Sequence, residues 1–301
     1  MKHVMSVSIG SSKRNHKVET KILGEEFIIE RVGTDGDIKK AIEIIQENDG
    51  KVSAFGMGGI DLYVCIGNKR FTIKDAVPIA QAAKISPIVD GSGLKNTLER
   101  KVVDYLTEHE IVDFKNKKVL LVCGLDRFGM AEALEKTGCD LVLGDLIFTV
   151  GIPIPIKSLN SLNVLASILA PIICKLPFSM LYPTGKKQEK KVSSKFERFY
   201  DEADIIAGDF LFIKRYMPDD IPGKIILTNT VTADDVEMLS KSGAKMLITT
   251  TPELNGRSFG TNVMEAVLVS LSEKPYKSLT PKDYEELLDK LGFAPRIEIL
   301  N

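Results

Sequence analysis

Three stretches of the chain carry residue types that could do chemistry. The first is Val119-Leu-Leu-Val-Cys-Gly-Leu-Asp-Arg-Phe-Gly129, an apolar run that ends in a glycine turn and enters a helical pattern. A dinucleotide needs such a turn, with backbone close to its pyrophosphate and a free helix N-terminus facing it. Gly124 and Gly129 stand where the first and third glycines of G-x-G-x-x-G stand, but the middle position is Asp126, whose carboxylate would repel a pyrophosphate. Asp145 follows where an acid that takes the ribose hydroxyls belongs. No Arg or Lys adjoins it to hold a 2′-phosphate, so NAD is expected rather than NADP. An ordinary tight turn with an N-capping Asp fits the same residues.

The second stretch is Leu247-Ile-Thr-Thr-Thr-Pro252, running on to Gly256-Arg-Ser-Phe-Gly260. A strand ending in threonines puts the hydroxyls of Thr250 and Thr251 at the carboxyl edge of a sheet, where cofactors sit in open parallel folds. Arg257, between two glycines, offers a planar fork that matches a carboxylate or phosphate. The third stretch is Val89-Asp-Gly-Ser-Gly-Leu-Lys95. Its glycines free the backbone ahead of a helix, which makes an anion nest. Lys95 falls in the first helical turn, where the macrodipole and burial are expected to lower its pKa toward general-base range. Asp90 is its expected partner. A further glycine loop, Gly56-Met-Gly-Gly-Ile-Asp61, could line the same cleft.

These loops need elements to hold them. Residues 4–11 read as a strand, 18–33 as a hairpin turning at Gly24, and Asp37 as part of the cap of a helix that stops at Gly50. Further strands are expected at 51–59 and 87–93, a hairpin turning at Gly67-Asn68 over 61–74, and a long helix from Leu94 to His109. From Lys117 onward, continuous apolar runs (117–124, 139–145, 203–209, 224–230, 244–252) alternate with helical patterns, as a doubly covered parallel sheet requires. The fold class is therefore α/β: a mixed α/β domain over 1–113, then a Rossmann-like parallel-sheet domain over 114–301. Thr280-Pro281-Lys-Asp283 caps a closing helix.

This order of domains, with a strand ending Thr-Thr-Pro-x-x-x-Gly, resembles the shikimate/quinate 5-dehydrogenases, in particular clostridial quinate 5-dehydrogenase-like proteins. The resemblance implies an NAD-dependent oxidoreductase acting on a small hydroxy acid in an interdomain cleft. Early serines, here Ser8 and Ser11, would hold the carboxylate with Arg257. A Lys-Asp pair, here Lys95 and Asp90 by a loose match, would transfer the proton. The family's lysine motif and Gly-Ala-Gly-Gly turn are absent. A metabolite- or nucleotide-binding protein that keeps only the architecture is the alternative.

Composition excludes other classes. Forty Lys and Arg face forty-one Asp and Glu, so the basic excess of a nucleic-acid binder is missing. The four cysteines fall in no C-x-x-C pair and there are three histidines, so no metal site is expected. Scattered cysteines and the lack of a signal-peptide pattern fit the cytoplasm, and a homodimer is the default assembly. Ser158–Cys174 carries no charge but is short for a membrane span. A buried helix is expected there, with a long-chain ligand as the other reading.

Overall fold

The computed structural model describes residues 1–66, 69–174, 196–254 and 257–301; of 64–66, 69, 70, 169–173, 253, 254 and 257 only the backbone is described. The first unit is built from β1 (Lys2–Ser8), β2 (His16–Ile22), β3 (Glu25–Gly33), α1 (Ile38–Asn48), β4 (Ala54–Gly58), β5 (Tyr63–Ile66), β6 (Lys69–Thr72), α2 (Val77–Ala80) and β7 (Ile88–Val89). Its sheet has the order β2-β3-β1-β4-β7, with β2 antiparallel to β3 and the other pairs parallel. The turn Gly67-Asn68 between β5 and β6 lies outside the described residues.

The central strands are covered on both faces. Met5, Val7, Phe55 and Met57 pack against Ala41 and Ile45 of α1. Their alternates Val4 and Ala54, with Phe27 and Ile29 of β3, pack the other way, as a period of two demands. The helix on that second face comes from far along the chain.

The second unit begins with α3 (Ser92–Glu108), β8 (Lys118–Leu121), α4 (Phe128–Thr137) and β9 (Asp140–Leu143). It continues through α5 (Leu159–Ile173), α6 (Glu197–Glu202), β10 (Ile205–Gly208), α7 (Phe210–Tyr216), β11 (Ile225–Thr228), α8 (Ala233–Lys241) and β12 (Met246–Thr249). After the two-residue strands β13 (Glu253–Leu254) and β14 (Arg257–Ser258) come α9 (Thr261–Leu271), α10 (Pro281–Lys290) and β15 (Arg296–Ile299). The sheet order is β15-β12-β11-β10-β8-β9, parallel except for β15. Val119, Leu121, Ala207 and Leu227 face α3 and α4, and Leu120, Ile206, Ile226 and Leu247 face the other side.

Helix α9 is the element on the second face of the first sheet, although the sequence places it in the second domain, 114–301. Val263, Ala266 and Val267 meet that sheet. Met264 and Leu268 meet Leu94 and Leu98 of α3 and Tyr284 and Leu288 of α10. Each fully buried Val, Leu or Met stabilises by roughly 1.5–3 kcal/mol. Four such residues on α9 therefore contribute a gross roughly 6–12 kcal/mol, comparable with the net stability of a whole domain.

The apolar stretch at 158–174 is the helix α5. Leu159, Leu162 and Ala166 are buried, while Val164 and Ile168 are each 63% exposed. No helix among the described residues is long and apolar enough to cross a membrane.

Candidate functional site

The loop after β4 and the turn after β8 meet at the start of α3, and Lys95 lies between them. Its Nζ is 2.5 Å from Asp61 Oδ2, on the loop after β4, and 2.9 Å from Asp126 Oδ1, on the turn after β8. One ammonium thus ties a carboxylate of the first unit to a carboxylate of the second. The side chains of Asp61 and Asp126 remain 30% and 36% exposed, so solvent reaches the pair.

Behind this pair sits Arg127, almost wholly buried. Its guanidinium lies 2.6 Å from Glu99 Oε1, 3.0 Å from Asp126 Oδ2 and 3.2 Å from Asp209 Oδ2. Glu99 is one helical turn after Lys95 on α3, which places both on one face. Asp209 caps α7 through the N–H groups of Leu211 and Phe212 and accepts from Asn229 Nδ2 at 2.9 Å. The ends of β8, β10 and β11 are thereby linked.

Burial and charge set the protonation of this network. Burial pushes the Asp61 carboxyl up to about 6, against the pull of Lys95 and with the push of Asp126 and Asp90. Burial also works against the charge of Lys95, but Asp126 and Asp61 outweigh it and hold the ammonium well above its usual value. The expected lowering of the Lys95 pKa is therefore reversed, because two carboxylates stand where one was foreseen. Asp126 is held well below the carboxylate range, since Lys95 and Arg127 overcome its burial. Burial raises Glu99, with Arg127 opposing.

The remaining expected site residues are spread differently. Asp90 is not the partner of Lys95. Its Oδ2 accepts from Leu62 N–H at 2.6 Å and its Oδ1 from Ser92 N–H and Oγ–H at 3.1 and 2.7 Å. It fixes the Asp61 loop to the start of α3. The anion nest at Gly91–Gly93 is filled from within, by Asp90 and by Glu265 of α9. Glu265 is 3% exposed, and its Oε1 accepts from Tyr284 O–H at 2.7 Å. A Cβ on Gly93 would fall 2.3 Å from that same oxygen. Burial, with Asp90 adding, pushes Glu265 up to about 8. This buried acid escaped the sequence reading, because an apolar helix with one Glu gives no sign of what the Glu faces.

The glycine turn is also occupied. Asp145 accepts from the N–H groups of Gly124 and Leu125, both at 2.9 Å, and is 8% exposed. The turn that was to cradle a pyrophosphate is thus satisfied by the acid that was to hold the ribose. Gly129 serves packing: a Cβ there would meet Asn96 O at 2.5 Å, where α4 crosses α3. Thr250 and Thr251 are fully buried, and Thr251 Oγ1 donates to Asn229 O at 2.8 Å. These residues do not fit a dinucleotide as they stand. Ser8 is 3% exposed and its Oγ accepts from Arg31 at 2.9 Å and from Gly10 N–H at 3.1 Å. Ser11 caps a short turn. Arg257 lies in β14, with its side chain outside the described residues. No group of His, Cys, Asp and Glu among the described residues could hold a metal ion.

Residues 93–300 match the model of a family described as a domain of unknown function (DUF8754), and residues 3–90 match a second such model (DUF8753). No curated protein matches. Among solved structures the chain is similar to a galactofuranose-binding protein, at 14% identity over 97% of this chain and 99% of that one, with a TM-score of 0.37. It is similar to an NAD-dependent malic enzyme from Thermotoga maritima at 14% identity, 96% and 84% coverage and a TM-score of 0.34. A 5,10-methylenetetrahydrofolate dehydrogenase from the silkworm, Bombyx mori, follows at 12% identity, 97% and 87% coverage and 0.30. These are likenesses of distant outline, and none bears on the ligand.

Proposed function

The chain belongs to the DUF8754 family, and from its own residues we propose that it binds a small hydroxylated metabolite at the junction of its two sheets and moves a proton on it. The observation that carries this reading is the Lys95 ammonium held by Asp61 and Asp126, one carboxylate from each unit, at a place solvent reaches. An ammonium has three N–H donors. Two point at carboxylates, which leaves the third for a ligand oxygen. Asp61, pushed up to about 6, changes charge near neutral pH and is the proton acceptor. Lys95 keeps its charge and stabilises the negative charge that develops on the oxygen as the proton leaves. Arg127 positions Asp126, and Asp126 positions Lys95.

The test is a thermal-shift series with neutral polyols, quinate, shikimate, NAD and NADP, on the full chain and on Lys95→Met and Asp61→Asn. A ligand at 100 times its dissociation constant stabilises by about 2.7 kcal/mol, which raises Tm by a few degrees at this size. A shift that survives both substitutions refutes the site.

A second reading is an NAD-dependent oxidoreductase of the quinate/shikimate type, supported by the unit β8-turn-α4-β9 with Asp145 at its end. It requires Asp145 to release Gly124 and Leu125. A shift with NAD that Asp126→Gly preserves or strengthens and Asp145→Asn weakens would support it, and no shift at millimolar NAD would dismiss it.

A further inference from the structure

We propose that the junction takes an uncharged polyhydroxylated ligand and that the chain's own carboxylates turn away hydroxy acids and phosphorylated molecules. The inference rests on the junction being the ligand site and adds the charge class of what enters it.

The groups that would receive an anion are already occupied from within. Lys95 is shared between Asp61 and Asp126. Arg127 is shared among Glu99, Asp126 and Asp209. The amides of the Gly124 turn go to Asp145. Among the described residues the three carboxylates Asp61, Glu99 and Asp126 meet the two cations Lys95 and Arg127. The surplus is negative, and Asp61 and Asp126, at 30% and 36% exposure, repel an entering anion through a field that salt can shorten.

A second observation comes from Glu99. Its side chain is 1% exposed, and its Oε2 is buried with no hydrogen-bond partner among the described residues. Unpaired buried acceptors are costly; Arg127 Nε, a donor in the same network, is also buried with no hydrogen-bond partner among the described residues but already lies 3.0 Å from Asp126 Oδ2. A carboxylate ligand would bring more acceptors to a place already rich in them. A hydroxyl matches on both counts: its O–H donates to a carboxylate of Asp61 or Asp126, and its lone pair accepts the third N–H of Lys95. Several hydroxyls on one small carbon frame would repeat that pairing.

The experiment is isothermal titration calorimetry of the full chain with matched pairs: myo-inositol against quinate, and glucose against glucuronate. The neutral member of a pair is expected to bind at least tenfold tighter at low salt. That gap should narrow by at least threefold at about 0.5 M salt, where the Debye length falls to roughly 4 Å, and also in Asp126→Asn. The salt series needs no variant, so it stands if Asp126→Asn fails to fold. Equal or tighter binding of the carboxylate member would overturn the charge class and leave the junction as the ligand site. Binding of either member that Lys95→Met leaves unchanged would overturn the junction itself. No heat from any member overturns both.

Discussion

Glu265→Gln should make the protein more stable at alkaline pH and leave it nearly unchanged at pH 5. Glu265 is 3% exposed, and its carboxyl rises from the ordinary 4.5 to about 8. The unfolded chain ionises it near the ordinary value, so between the two values the folded state binds more protons. Stability therefore falls as pH rises through that window, by about 1.4 kcal/mol per pH unit. The ceiling is about 5 kcal/mol, reached above pH 8. Glutamine is neutral throughout and keeps the oxygen that accepts from Tyr284 O–H at 2.7 Å. Urea denaturation of both proteins at pH 5, 6.5 and 8.5 reads the difference directly. Asp61 titrates with the same sign below about 6, but it is common to both proteins and cancels. Parallel pH profiles for wild type and variant would refute the argument.

Three further outcomes are expected. Gly129→Ala should cost about 1–3 kcal/mol in a denaturant melt, because its Cβ would lie 2.5 Å from Asn96 O and force α4 from α3. Arg127→Met should cost about 3–5 kcal/mol by leaving Glu99 buried and uncompensated. Most of that loss should return in the double variant with Glu99→Gln, as a double-mutant cycle would show. Whatever turnover the site supports should fall as pH drops below about 6, as Asp61 takes up its proton. A pH–rate profile with no limb near that value would remove Asp61 from the acceptor role.

What the sequence makes legible is what a few neighbouring residues decide among themselves. The cap at Thr280 is settled within four positions: Thr280 N–H donates to Asp283 Oδ2 at 2.8 Å, and Pro281 begins the helix. Gly138 ends α4 in the left-handed region, and the continuous apolar strands form the parallel sheet. The site resisted for the opposite reason. Asp90 lies five positions from Lys95 and looks like its partner, yet the true partners are 34 and 31 residues away. Only the crossing of two sheets brings them together. β15 is likewise invisible locally, because four residues become a strand only by pairing with β12. The destination of α9 is hidden because its apolar residues face both ways.

Synthesis separates the first sheet from its cover. The strands of the first sheet are complete by Val89, but the helix that covers one of their faces ends at Leu271. At about 5–20 residues per second, Phe27, Ile29 and their neighbours leave the ribosome roughly ten to fifty seconds before their cover. During that interval the apolar residues of this face lack the cover that α9 gives them in the finished fold. The first unit is thus the earlier to be synthesised and the later to be finished.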